Sequence, residues 1–174
     1  MSKIYELFRK KYGFFFDANN KLQNLILSMD YYVDTCIWLN LFKKEGDPTK
    51  RKPYWKIAEE FLKEAILTES SHVFYSTIVL RELELQLAKE SYEQNKQQME
   101  AESKFIKVDV LSSDKIAARK LESRYEFLIS YYDLLHLTIA KRLHAILITR
   151  DRRLIAVAHD QSIIAERPED TTVY

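Results

Sequence analysis

The sequence predicts an α/β fold in three layers, a parallel sheet with helices on both faces. Three observations carry this. Short apolar runs of strand length alternate with longer segments whose apolar residues recur at helical spacing. The 174 residues include only two Gly and three Pro, too few for a sandwich built on tight turns. Residues 145–148 are apolar at every position, the pattern of a strand buried on both faces. Strands separated by helices pair in parallel through right-handed crossovers.

Each element has its own signal. Residues 2–28 read as two short helices broken at Tyr12-Gly13, with Phe14, Phe15, Phe16, Leu22, Leu25, Ile26 and Leu27 offering more apolar surface than a monomer leaves wet. This N-terminal helical extension is expected to pack on the domain or on a second copy, and the domain itself is expected to span residues 29–174. Tyr31-Tyr32-Val33 is a strand, and residues 35–43 a helix through Ile37, Trp38 and Leu41, stopped by Glu45-Gly46-Asp47-Pro48. A helix from about Pro53 to Thr68 follows, then a strand at Val73-Phe74-Tyr75.

Ser76 or Thr77 caps the next helix, which carries Ile78, Val79, Leu83 and Leu87 inward. Beyond Ala88 it turns polar as far as Glu102, a stretch expected to project into solvent or meet a partner. Residues 105–110 alternate as a third strand, 112–128 form a helix, and Ser130 begins the helix that contains Asp133. After the strand at 145–148, Asp151 heads a helix through Leu154, Val157 and Ala158, and Ile163-Ile164-Ala165 is the last strand.

Composition excludes more than it assigns. A formal net charge of +1 argues against gripping nucleic acid by global positive charge. One cysteine, Cys36, rules out an internal disulfide and a multi-cysteine zinc site, and it is expected to be a small buried hydrophobe. No apolar run approaches the ~20 residues of a membrane span, and the N-terminal stretch lacks a signal-peptide pattern. A soluble cytoplasmic protein with no membrane partner is the expectation.

Four acids organise the chain: Asp34, Glu82, Asp133 and Asp151. Asp34 closes the first strand and Asp151 lies just past the buried one, so both fall at the carboxyl edge of the sheet, where open α/β folds bind ligands. Glu82 lies at the margin of its helix's apolar stripe and can reach back to that edge; Glu84 competes with it from a poorer angular position. Each acid also has a purely structural use. Asp34 and Asp151 can cap helices, Asp133 can complete a Ser130-x-x-Asp133 box, and Glu82 can be solvated. Four carboxylates at one edge repel unless a cation sits among them, and a hard divalent ion is the usual solution.

The segments Val33-Asp34-Thr35-Cys36-Ile37-Trp38-Leu39-Asn40, Ser76-Thr77-Ile78-Val79-Leu80-Arg81-Glu82-Leu83, Tyr132-Asp133-Leu134-Leu135-His136-Leu137-Thr138-Ile139-Ala140 and Leu147-Ile148-Thr149-Arg150-Asp151 resemble, in order, the four signature stretches of PIN-domain ribonucleases. The ordered set, over roughly residues 30 to 170, carries the resemblance. It implies a PIN-like parallel sheet of four to five strands, a Mg²⁺ or Mn²⁺ site and single-stranded RNA as substrate. Carried over by position, Asp34, Glu82, Asp133 and Asp151 are the catalytic acids, Asp34, Asp133 and Asp151 among them the metal ligands, and Thr35 and Thr149 the supporting hydroxyls. Many members are toxins of VapBC-type toxin–antitoxin pairs and form dimers, which implies a possible antitoxin and a homodimer. The N-terminal extension, the long span from Asp34 to Glu82 and the polar helix depart from a minimal toxin.

The chemistry expected is in-line attack of an activated water on phosphorus, with the 3′ oxygen leaving; the resemblance implies a 5′ phosphate and a 3′ hydroxyl as products. Metal affinity is expected to rise with pH through the acid range. Substrate phosphates are assigned to Arg150, Arg152 and Arg153, which flank Asp151, ahead of Lys43, Lys44 and the basic residues at 50–52. Tyr31, Tyr32, Tyr131 and Tyr132 are expected to pack in the core rather than stack on bases. None of the four histidines shows metal-ligand spacing; His136, one turn after Asp133, faces near the site but is expected to be an ordinary histidine. The alternative is a PIN-like RNA-binding or scaffold module without turnover. An aspartyl-phosphate phosphatase is disfavoured, because Cys36 stands where a second Asp is wanted.

Overall fold

The computed structural model describes residues 29–46, 49 and 52–171. The N-terminal extension at 1–28 and the basic residues at 50 and 51 lie outside the described residues. The elements are β1 (Tyr31–Val33), α1 (Thr35–Phe42), α2 (Tyr54–Leu67), β2 (Val73–Ser76), α3 (Thr77–Gln86), α4 (Lys89–Ala101), β3 (Phe105–Val108), α5 (Ser112–Arg124), α6 (Tyr131–Leu143), β4 (Ile146–Ile148), α7 (Arg152–Asp160) and β5 (Ala165–Glu166), ending in a 3₁₀ turn, Pro168–Asp170. All five strands pair in parallel in the order β3-β2-β1-β4-β5. The expected three-layer α/β fold is the observed one.

Period-2 alternation distributes the strand side chains between two cores. Tyr31, Val33, Val73, Tyr75, Ile146 and Ile148 face α1 to α4, where they meet Trp38, Phe61, Leu62, Leu83 and Met99. Tyr32, Leu147 and Ala165 face the other way, toward Ala118 of α5, Leu134 and Leu137 of α6 and Leu154 of α7. Tyr31 packs edge-on against Phe61 at 5.3 Å. Trp38 is ringed by Phe42, Tyr75 and Phe105 at 5.9, 6.3 and 5.2 Å. Among the described residues no helix is long and apolar enough to cross a membrane.

The strand order reverses at β1, since the chain builds outward through β2 and β3 and then returns to place β4 on the other flank. The carboxyl ends of β1 and β4 therefore flank a crevice of the kind in which open α/β sheets bind ligands. Asp34 N–H donates to the Ile148 carbonyl at 3.0 Å, which extends the ladder by one residue and locks Asp34 beside the exit of β4.

Four sequence expectations need correction. The helix after Ser76 is broken at Leu87 and Ala88, both extended (ψ 153 and 144), so the polar stretch is a separate helix, α4. It does not project into solvent: Tyr92 and Met99, seven residues apart and so on one face, are buried against the first core. The helix expected to reach residue 128 ends at Arg124, because Glu126 and Phe127 take positive φ. The last strand is Ala165–Glu166 rather than 163–165; Ser162, at φ 56, turns the chain, and Ile163 N–H closes the end of α7 on Ala158.

Candidate active site

All four acids line one cavity of about 490 Å³, together with Thr35, Cys36, Ile78, Arg81, Tyr132 and Arg150. They arrive from the ends of β1 and β4, from the middle of α3 and from the first turn of α6. Glu84 is exposed and lies off the cavity wall, so Glu82 is the acid that α3 presents.

Each carboxylate is held by a neighbour. Asp34, 6% exposed, accepts from Thr149 Oγ1 at 2.6 Å and from Cys36 Sγ at 3.1 Å. Thr149 is fully buried and its Oγ1 also accepts from the Asp151 N–H at 3.1 Å, so one hydroxyl ties the first acid to the fourth. Asp151 caps α7 by accepting from the N–H groups of Arg153 and Leu154 at 2.7 and 3.1 Å. Ser130 caps α6 through the Asp133 N–H, and its hydroxyl donates to Asp133 Oδ2 at 2.6 Å. The structural uses of Asp133 and Asp151 are thus real, and they coexist with a place on the cavity wall. Cys36 is not merely an apolar filler: burial, then the charge of Asp34, pushes its thiol up, so it acts as a neutral donor to that acid.

The residue that sequence reasoning underrated is His136. It is 1% exposed, with Nε2 3.0 Å from Glu82 Oε2 and 3.5 Å from Asp34 Oδ1. Its Nδ1 lies 2.8 Å from the Tyr32 hydroxyl, itself 2.7 Å from Ser76 Oγ. Thr35 Oγ1 donates to the same Glu82 oxygen. A carboxylate only accepts, so Nε2 carries a proton and a continuous relay runs from Ser76 through Tyr32 and His136 to Glu82. Tyr32 is core, as expected, and burial above all pushes its phenol far up. The only sequence signal for His136 was its position one helical turn after Asp133.

The electrostatics follow. Burial works against the Glu82 carboxylate, but the His136 hydrogen bond and charge and the Thr35 hydroxyl outweigh it and hold its pKa below the usual carboxylate range. Burial likewise opposes charge on His136, and Asp34 and Glu82 override it, raising the imidazole above its ordinary value. Asp133 is raised, first by burial and further by the charges of Asp34 and Asp151, which outweigh the Ser130 bond. Two signs combine for stability. A raised His136 stabilises fully below its unfolded pKa of about 6.5 and stops doing so as pH climbs through its folded value; a lowered Glu82 stabilises above about 4.3 and fails as pH falls through its folded value. Thermal melts in EDTA are therefore expected to show melting temperature falling as pH rises above about 6.5, with a shallower fall in His136→Gln. Equal slopes in the two proteins would contradict this.

Among the described residues no group of three or more His, Cys, Asp or Glu side chains forms a ready cation cage. The carboxylates take the bonds from Thr149, Cys36, Thr35, His136, Ser130 and the start of α7 through one oxygen each: Asp34 Oδ2, Glu82 Oε2, Asp133 Oδ2 and Asp151 Oδ1. The donor set nonetheless fits a hard divalent ion, since it consists of carboxylate oxygens on one cavity wall, and the charges of Asp34 and Asp151, which add to the burial that raises Asp133, are ones a cation would offset.

Of the basic residues, Arg150 lines the cavity but is engaged: it pairs with Glu169 at 2.7 Å, donates to Asn40 Oδ1 at 2.8 Å and lies 4.2 Å over the Tyr54 ring. Arg152 and Arg153 are exposed and lie off the cavity wall. Tyr132, expected in the core, is instead 49% exposed on the cavity wall, because the first turn of α6 puts it beside Asp133, and Arg81 is a wall residue that the sequence did not single out for this place. The other buried acid, Asp114, is bound to Arg142 at 2.9 Å and off this wall.

The family model described as PIN domain matches residues 31–160. Similar solved structures include VapBC2 from Rickettsia felis bound to a DNA fragment from its promoter (21% identity, TM-score 0.55, 80% of this chain and 98% of that one covered). Others are a toxin–antitoxin complex from Klebsiella pneumoniae (20%, 0.54, 79% and 97%) and VapBC-1 from nontypeable Haemophilus influenzae (18%, 0.56, 81% and 99%). At these identities the likeness is one of fold. No curated protein matches the sequence. The matched stretch runs from β1 to the end of α7 and contains all four acid-bearing segments, and this chain belongs to the PIN-domain family.

Proposed function

We propose that this protein is a divalent-metal-dependent endoribonuclease that hydrolyses phosphodiester bonds of single-stranded RNA and serves as the toxin of a toxin–antitoxin pair. The observation that carries the reading is the convergence of Asp34, Glu82, Asp133 and Asp151, from four separate segments, on one cavity. Asp34, Asp133 and Asp151 would hold Mg²⁺ or Mn²⁺, which when bound polarises the phosphoryl oxygens and supplies charge for the transition state. Glu82, fixed by His136 and Thr35, orients the attacking water and takes its proton. The bond from phosphorus to the 3′ oxygen breaks, leaving a 5′ phosphate and a 3′ hydroxyl.

Solved relatives that are toxin–antitoxin complexes support an antitoxin as partner. In this reading residues 29–174 form the nuclease domain, residues 1–28 are an extension of it, and the protein acts as a homodimer in the cytoplasm. The rival reading is a PIN-fold RNA-binding or scaffold module without turnover. A mixed single-stranded RNA pool incubated with Mn²⁺ decides between them, with Asp34→Asn as the control. Cleavage by the parent alone supports the nuclease; no cleavage by either protein under any divalent metal favours the rival.

A further inference from the structure

An acid-lined cavity attracts the one phosphate that a cation neutralises and repels the phosphates on either side of it, so a polyanionic substrate needs positive charge beyond the cavity rim. The wall itself offers Arg81 and Arg150, and Glu169 neutralises the second. Beyond the wall, Lys43 Nζ donates to Gln86 of the wall at 3.4 Å and Arg152 and Arg153 are exposed on α7, while a third and broader basic set lies on one face of α5. Lys115, Arg119 and Lys120, with Ile116, Ser123 and Tyr131, line an open groove of about 680 Å³. Neither lysine has an ion-pair partner among the described residues. Arg119 lies 3.8 Å over the Tyr131 ring and is steadied by Glu122 at 2.6 Å.

The groove and the acid cavity share a wall. Tyr131 faces the groove and Tyr132 the cavity, beside Asp133, and the two rings meet edge to face at 5.7 Å and 62°. Tyr132 is half-exposed on the cavity wall, unlike the wholly buried Tyr31 and Tyr32. An exposed aromatic ring beside a basic groove is the combination that binds single strands without reading sequence.

We propose that single-stranded RNA runs from the acid cavity over Tyr132, on which a base stacks, into the α5 groove, where Lys115 and Lys120 take the phosphates flanking the scissile one. This rests on the nuclease reading and adds to it a path and a minimum substrate length. Arg119, held by Glu122 and Tyr131, shapes the groove between the two lysines.

The test uses the full chain carrying Asp34→Asn and fluorescent RNA strands of about 20 and about four nucleotides. Adding Lys115→Ala and Lys120→Ala is expected to weaken the long strand about tenfold and to flatten the slope of log affinity against log salt by about 1.4, with the short strand unaffected. Tyr132→Ala is expected to weaken both strands about tenfold, and Tyr132→Phe to restore them. If the Asp34→Asn parent binds RNA tightly and the double lysine variant matches it in affinity and slope, the path is wrong and the nuclease reading stands. If the parent binds neither strand, both readings fall.

Discussion

Asp34→Asn is expected to lower Mn²⁺-dependent RNA cleavage by about 10²- to 10³-fold or more while leaving the melting temperature in EDTA close to that of the parent. The contrast between the two readouts follows from what Asp34 touches. Its Oδ2 accepts from both Thr149 and Cys36, and an asparagine carbonyl oxygen in that place can accept both. What asparagine cannot keep is the negative charge, which lies on the cavity wall within reach of any cation bound by Asp133 and Asp151. Loss of charge also removes a neighbour that raises Asp133 and supports a protonated His136, so these two electrostatic changes oppose one another in the metal-free fold. Unchanged cleavage in this variant would remove Asp34 from the chemistry.

Trp38→Ala is expected to cost about 3–5 kcal/mol, read as a lower urea midpoint at unchanged slope. Trp38 is 1% exposed and packs at near-perpendicular angles against Tyr75 of β2 and Phe105 of β3, so its ring joins α1 to two strands. A loss of that size is a large share of the about 5–15 kcal/mol that holds a domain together. Trp38→Phe separates packing from polarity. The indole Nε1 is buried with no hydrogen-bond partner, so phenylalanine gives up some ring contact but removes an unsatisfied donor, and a cost below about 1.5 kcal/mol is expected. Equal destabilisation by the two substitutions would mean that the ring's fit, rather than burial of an aromatic, governs the site.

How far the sequence revealed this depends on the scale of the signal. Asp34 and Asp151 were legible because each follows a strand that is apolar throughout, and parallel pairing places strand ends together. Glu82 was legible from its angular position on α3. The break at Leu87 and Ala88 was not, because neither residue is a Gly or Pro and local propensity gives no warning. Tyr92 and Met99 held the answer for α4, since two apolar residues seven apart on an otherwise polar helix define a narrow buried stripe; only the exposed edge of the sheet at β3 explains why so narrow a stripe suffices.

His136 shows the other limit. Its importance lies in contacts with Tyr32, 104 residues away, and Glu82, 54 away, and no local pattern encodes such a relay. Closeness to Asp151 in sequence does not put Arg152 and Arg153 on the cavity wall: both are exposed on the first turn of α7, because the helix carries successive side chains around its axis.

The central claim is that negative side chains from four segments make one cation-binding cup. Calorimetric titration of the full chain with Mn²⁺ at about pH 7.5 tests it most directly. Saturable binding by the parent, weakened about tenfold or more in Asp34→Asn and in Asp151→Asn, is the expected result. Absence of saturable binding, or equal affinity in all three proteins, would contradict the account.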